Sequence, residues 1–168
     1  MIRWSLVGLL AASILLPGSR SNATTQDPIL DDAGAATILL SSYANACGQI
    51  GYQVGSLDVI MSAFMATLEK LKAAGLSEAE GYAYAQDILD HDGETLEGEL
   101  KIALGAVPSE QQDRLWPGIF TDLIDRRCAS LADHAGLASL ITASSPAERK
   151  EVRRTLEAAI SRQSGPAL

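Results

Sequence analysis

Apolar residues return at three- and four-residue spacing along most of the chain, the period of helices with one buried face. Ala36, Leu39/Leu40, Tyr43, Ala46/Cys47 and Ile50 line one side of a first helix predicted from about Ile29 to Ile50, with Pro28 as its starter. Gly48, Gly51 and Gly55 end it. Ser56 then caps a second helix whose core stripe is Leu57, Ile60/Met61, Phe64, Leu68 and Leu71, and Gly75 stops it. Ser77-Glu78-Ala79-Glu80 reads as a capping box opening a third helix through Tyr82, Ala85 and Ile88/Leu89 to about His91. Gly93 is expected to interrupt, with a short fourth helix through Leu96, Leu100, Ala103 and Leu104 to Gly105.

Pro117 divides a brief turn at about 109–116 from a fifth helix, Gly118 to Ala132, lined by Ile119/Phe120, Leu123/Ile124, Cys128 and Leu131. A short sixth helix carries Leu137, Leu140 and Ile141. Ser145-Pro146, a cap followed by proline at the first helical position, opens a last one through Val152, Leu156 and Ile160. Connections are short and no repeat divides the chain. The expected fold is all-α, one compact bundle of five to seven helices over residues 24–168, with 24–28 and 163–168 loose.

The first 23 residues follow a different pattern. Arg3 precedes an uncharged run of thirteen apolar or small residues, Trp4 to Leu16, which Pro17-Gly18 breaks before Ser21-Asn22-Ala23. This is the three-part layout of a secretory signal peptide, with cleavage expected after Ala23. The run is short of the roughly 20 residues that span a bilayer. No cysteine stands at the cut for lipidation, and no twin arginine precedes the run. The processed chain of about 145 residues is expected in the periplasm, or secreted, with no stable membrane insertion.

Removal of Arg3 and Arg20 leaves 11 basic residues against 21 acidic ones, a net charge of −10. That balance argues against nucleic acid, whose binding needs a basic face. Alanine and leucine are abundant and aromatic residues sparse, in keeping with helices. The two cysteines each continue a helical stripe, Cys47 with Leu40, Tyr43 and Ile50, and Cys128 with Ile124 and Leu131. In an exported chain they are expected to pair across the core as a disulfide.

Candidate chemistry is thin. Residues 78–99 hold eight acids and no lysine or arginine, centred on Asp90-His91-Asp92-Gly93-Glu94. Such a segment could bind a cation, but the spacing misses an EF-hand, because Ile88 would fall on the first ligand position. The bland reading is a solvated acidic face. His134, beside Asp133, would have to meet His91 to make a zinc site, and no zinc-site spacing is present. The glycines at 48, 51 and 55 follow a helix and lack a P-loop lysine. Trp116-Pro117-Gly118 offers either an exposed anchor or a lid on the core. Arg149, Lys150, Arg153, Arg154 and Arg162 make the last helix the one basic region, able to dock on the acidic segment of its own chain or of a second copy.

No catalytic residue, metal site or cofactor follows from these patterns. The expected function is that of a non-enzymatic binding or accessory module of the bacterial cell envelope (a partner, inhibitor or chaperone-like protein). Its partner would be another envelope protein, with self-association left open by the basic tail. The alternatives are a metal or ligand site at Asp90, His91 and Asp92, and a small cell-wall hydrolase working through paired carboxylates.

Overall fold

The computed structural model describes residues 30–163, with side chains through Thr155. The leader at 1–23, the loose segment at 24–28 with the Pro28 starter, and residues 164–168 lie outside the described residues. Within them the chain forms five α-helices and a two-stranded ribbon: α1 (Asp32–Gln49), β1 (Gln53–Val54), α2 (Leu57–Ala73), α3 (Glu78–Gly105), α4 (Ser109–Asp133), a 3-10 turn (Ala135–Leu137), β2 (Ile141–Thr142) and α5 (Pro146–Gln163). The all-α bundle closed by one disulfide is the observed fold.

Local chemistry sets most boundaries. Asp31 caps α1 by accepting from the Gly34 N–H at 2.8 Å. α2 ends in a Schellman motif. Gly75, at φ +101°, donates to the Lys72 carbonyl, and Leu76 donates to that of Leu71. The Ser77/Glu80 capping box forms as expected. Ser145 and Glu148 make a second box at the start of α5, with Ser145 N–H to Glu148 at 2.9 Å and Glu148 N–H to Ser145 Oγ at 3.2 Å. Ser56 stands at the start of α2, but its side chain makes no capping bond.

Two expected breaks and one expected helix are corrected. Gly93 lies inside α3, which runs unbroken for 28 residues. A mid-helix glycine costs only about 1 kcal/mol, and residues on both sides of this one are anchored by other helices, as described below. Pro117 lies inside α4 rather than ending it. Its missing N–H and ring cost about 3 kcal/mol in a helix interior. Across it, Trp116 and Phe120 stack with ring centroids 5.2 Å apart, and Thr121 donates to the Pro117 carbonyl at 2.8 Å. The predicted sixth helix is replaced by the 3-10 turn and β2. Ile141 and Thr142 pair antiparallel with Val54 and Gln53, and Gly55 N–H extends the ladder to the Leu140 carbonyl at 2.8 Å. β-Branched Ile-Thr suits a strand once a partner strand is beside it.

α1 packs against α2, α3, α4, β1 and the 3-10 turn, and serves two apolar clusters. Leu40 and Cys47 join Tyr52, Ile124, Cys128, Leu131, Leu137 and Ile141 in the first. Ile38, with Leu30, joins Leu68, Leu71 and Ala85 in the second. Cys47 and Cys128, both fully buried, are bonded, with Cα atoms 5.6 Å apart, and tie α1 to α4. α3 joins both clusters, its first half packing into the second through Ala85, Ile88 and Leu89, its second half on the first through Leu96.

Candidate functional site

The acidic segment, now a continuous helix, is sorted by direction. Asp92 points inward, where it accepts from the Tyr43 hydroxyl through one oxygen and from Arg127 Nε at 3.2 Å through the other. Arg127 also reaches Glu99 at 3.2 Å, and Arg126 reaches the same carboxylate at 3.4 Å. Two carboxylates of α3, seven residues and so about two turns apart, clasp one arginine of α4. The Arg127 side chain is only 13 % exposed, so these partners supply the acceptors it needs away from water.

The electrostatics follow from that burial. Desolvation, reinforced by the Asp92 hydrogen bond and charge, pushes the Tyr43 phenol well above its ordinary range. Burial alone would lower the Arg127 guanidinium, but Glu99, Asp92 and Tyr43 outweigh it and hold it above its usual value. The Arg127 hydrogen bond draws Glu99 below the usual carboxylate range. Tyr43, Arg127 and Glu99 are each shifted further from neutral pH, the opposite of what a general acid or base requires.

Asp90 and His91 face outward. Gln86 donates to Asp90 at 2.8 Å. His91 lines an open groove of about 440 Å³ with Leu39, Tyr84, Asp87, Ile88, Asp92 and Thr95. His134 accepts from the Gly136 N–H at 3.2 Å, beyond the end of α4. Among the described residues no three His, Cys, Asp or Glu side chains lie close enough together to hold a metal ion. Of the candidate trio, His91 and Asp92 border the same groove, but Asp92 is engaged by Tyr43 and Arg127, and Asp90 lies outside the groove, bonded to Gln86.

A second polar cluster fastens α5. Tyr52 donates to Asp125 at 2.9 Å, and burial followed by this bond pushes its phenol up to about 12. Arg153 pairs with Asp122 and, at 3.0 Å, with Asp125. Arg149 lies over the Tyr52 ring, 5.2 Å from its centroid, and donates to the Ser144 carbonyl. Gly51, at φ +97°, lets the chain turn where Val152 lies 3.3 Å from the place a Cβ would occupy. Of the described basic residues of α5, Arg153 docks on acids of α4, Arg154 pairs with Glu151 of its own helix, and none pairs with the acidic segment at 78–99.

The feature sequence reasoning missed lies on α2. Leu57 and Met61, expected in the core, are 69 % and 41 % exposed, and Met65 is 45 % exposed. These three sit one above the next at four-residue spacing, the geometry of a single helix face. Tyr82 of α3, also expected inward and 44 % exposed, extends the stripe, its hydroxyl 4.0 Å from the Met65 sulfur. The apolar arc of α2 is wider than the core requires: Ile60, Leu68 and Leu71 fill the interior with Phe64 packed beside them, while Leu57, Met61 and Met65 meet water. That excess width was the one signal available in the sequence. Trp116, 39 % exposed, sits within α4 stacked on Phe120, neither a loop anchor nor a full lid.

Compared with known proteins, the chain matches no family, no curated protein and no solved structure.

Proposed function

We propose that this chain is an exported, non-enzymatic binding module of the cell envelope, and that its working surface is the outer face of the α2–α3 hairpin. The observation that carries the reading is the stripe of Leu57, Met61, Met65 and Tyr82, four large apolar side chains left in water on one side. Contiguous exposed apolar surface on a small domain marks a place where something docks. Two further features accord with export: the Cys47–Cys128 disulfide, a bond of oxidising compartments, and the leader pattern at 1–23. Among the described residues no helix is long and apolar enough to cross a membrane. The shifts of Tyr43, Arg127 and Glu99 away from neutral pH weigh against a catalytic reading of the acidic segment.

A photo-crosslinking residue placed at Met61, in the full chain expressed in its native host, tests this. A discrete adduct with an envelope protein is expected, and none from the same probe at Arg126 on α4. Equal labelling from both positions, or none from Met61, sinks the reading. The groove beside His91 favours a second one, a small-ligand site. Titration with zinc or nickel, read from the His91 ring resonances, should move them if it holds; unmoved resonances remove its metal form.

A further inference from the structure

The stripe on α2 has a charge setting that narrows what can cover it. Met65, Glu69, Lys72, Glu78 and Tyr82 border a small cleft of about 120 Å³ between α2 and α3 at one end of the stripe. Asp58 stands in the first turn of α2 at the other end, beside Leu57. Lys72, the cation at the cleft, is already within 3.9 Å of Glu69. Over residues 57–99 the two lysines, Lys70 and Lys72, face ten acids. Four of those acids have cationic partners: Glu69, Asp92, Glu97 and Glu99. Asp58, Glu78, Asp87, Asp90 and Glu94 have none among the described residues, and Glu80 is spent on its cap. Of these, Asp58 and Glu78 stand at the two ends of the apolar stripe, each in the first turn of its helix and neither ion-paired among the described residues.

Its shape selects further. Leu57, Met61 and Met65 span eight residues of helix, about 12 Å at 1.5 Å per residue, and Tyr82 widens the surface onto the neighbouring helix. A two-helix surface with anchors at that spacing suits a helix laid along it, bearing apolar residues at three- and four-residue intervals. Methionine side chains adapt to differing apolar partners, so the face selects a class rather than one sequence. A second copy of this chain fits poorly. Two acidic frames would oppose each other, and of the described cations of α5, Arg149, Arg153 and Arg154 are engaged by Tyr52, Asp122, Asp125 and Glu151 of their own chain, which leaves Lys150.

We infer that the α2–α3 face receives a basic amphipathic helix of a partner protein, its apolar side on Leu57, Met61, Met65 and Tyr82 and its cations against Asp58 and Glu78. This rests on the docking reading above and names the chemistry of the partner.

The test uses the oxidised chain and two labelled 18-residue helical peptides with leucines at identical positions, one filled with lysine and the other with glutamate. Fluorescence anisotropy should show the lysine peptide binding at least tenfold tighter than the glutamate peptide. Raising salt from 50 to 500 mM should weaken it. Met61→Ser with Met65→Ser should cost at least tenfold, and so should Asp58→Asn with Glu78→Gln. All four positions are exposed, and circular dichroism checks that the fold is kept. Equal affinity for both peptides, indifference to the methionine changes, or no binding of either overturns the inference. So does a concentration-dependent dimer that Met61→Ser abolishes. If the peptides fail while the Met61 crosslink in the host persists, only the partner chemistry is wrong. If the crosslink also fails, the docking reading falls with it.

Discussion

The two apolar clusters share α1 and differ in almost everything else. The first, between α1, α4 and the ribbon, is held by a covalent bond, a strand pair and the phenols of half-buried Tyr43 and buried Tyr52, each donating to a carboxylate. The second, between α1 and the α2–α3 hairpin, rests on Ile38, Leu68, Leu71 and Ala85, with Phe64, Ile88 and Leu89 around them. The half fastened by many kinds of bond has its polar groups committed. The half fastened by apolar contact keeps apolar surface to spare. Adaptability sits where directional bonds are fewest.

The largest blow to that contrast is loss of the disulfide. Cys47 and Cys128 are 81 residues apart, and loop-closure entropy puts the contribution of such a bond at about 4.5 kcal/mol. Cys47→Ser should lose roughly that much in guanidinium unfolding; an unchanged midpoint would mean the first cluster needs no staple.

Next comes Leu71, fully buried in the second cluster. Leu71→Ala should cost about 2–5 kcal/mol. In hydrogen exchange the amides of α2 and the first half of α3 should lose protection while those around Cys47 and Cys128 keep theirs. Uniform loss throughout the chain would merge the two halves into one cooperative unit.

Arg127→Gln should cost about 1–3 kcal/mol by stripping Asp92 of a charged donor in a half-buried site. It also has a pH signature. Because Glu99 is held below its ordinary value by Arg127, its contribution is fully present above the unfolded glutamate pKa of about 4.3 and is lost as pH falls through the folded value. The variant should show a flatter acid slope, and an unaltered slope would detach Glu99 from Arg127.

Smallest is Tyr52→Phe, about 0.5–1.5 kcal/mol for one hydrogen bond. With its phenol at about 12 in the folded chain and near 10 when unfolded, Tyr52 stabilises fully below pH 10. That contribution is lost as pH rises from 10 towards 12. The variant should therefore unfold with a shallower alkaline slope than the parent.

Much of this was legible in the chain. The reciprocal Ser77/Glu80 cap, the Ser145-Pro146 start and the two cysteine stripes are local or periodic signals, and each has a counterpart in the fold. The misreadings share one cause, a distant partner that outweighs a local preference. Gly93 does not break α3 because Tyr43 and Arg127 hold Asp92 on one side and the first cluster takes Leu96 on the other. Ile141-Thr142 becomes strand only because Gln53-Val54 lies beside it. The candidate site suffered most. A periodic stripe on α2 gives the direction of its apolar side but not how much of it neighbours will cover, so Leu57 and Met61 fall on the predicted core stripe and yet stay exposed in the fold. Likewise the basic face of α5 has a sign but no address until Asp122 and Asp125 turn up on the same side of α4.

The central place of α1 sets an order of events as the polypeptide is made. One face waits for α2 and α3, and the other for Cys128, Leu131, Leu137 and Ile141, all of them synthesised much later. Contacts so far apart along the chain form late, because the intervening loop must first be closed. The earliest of the five described helices to be translated thus completes its packing only after Ile141 has been made. Until its partners arrive, the Cys47 thiol stays within reach of an oxidant, and the burial that finally hides it also brings Cys128 alongside.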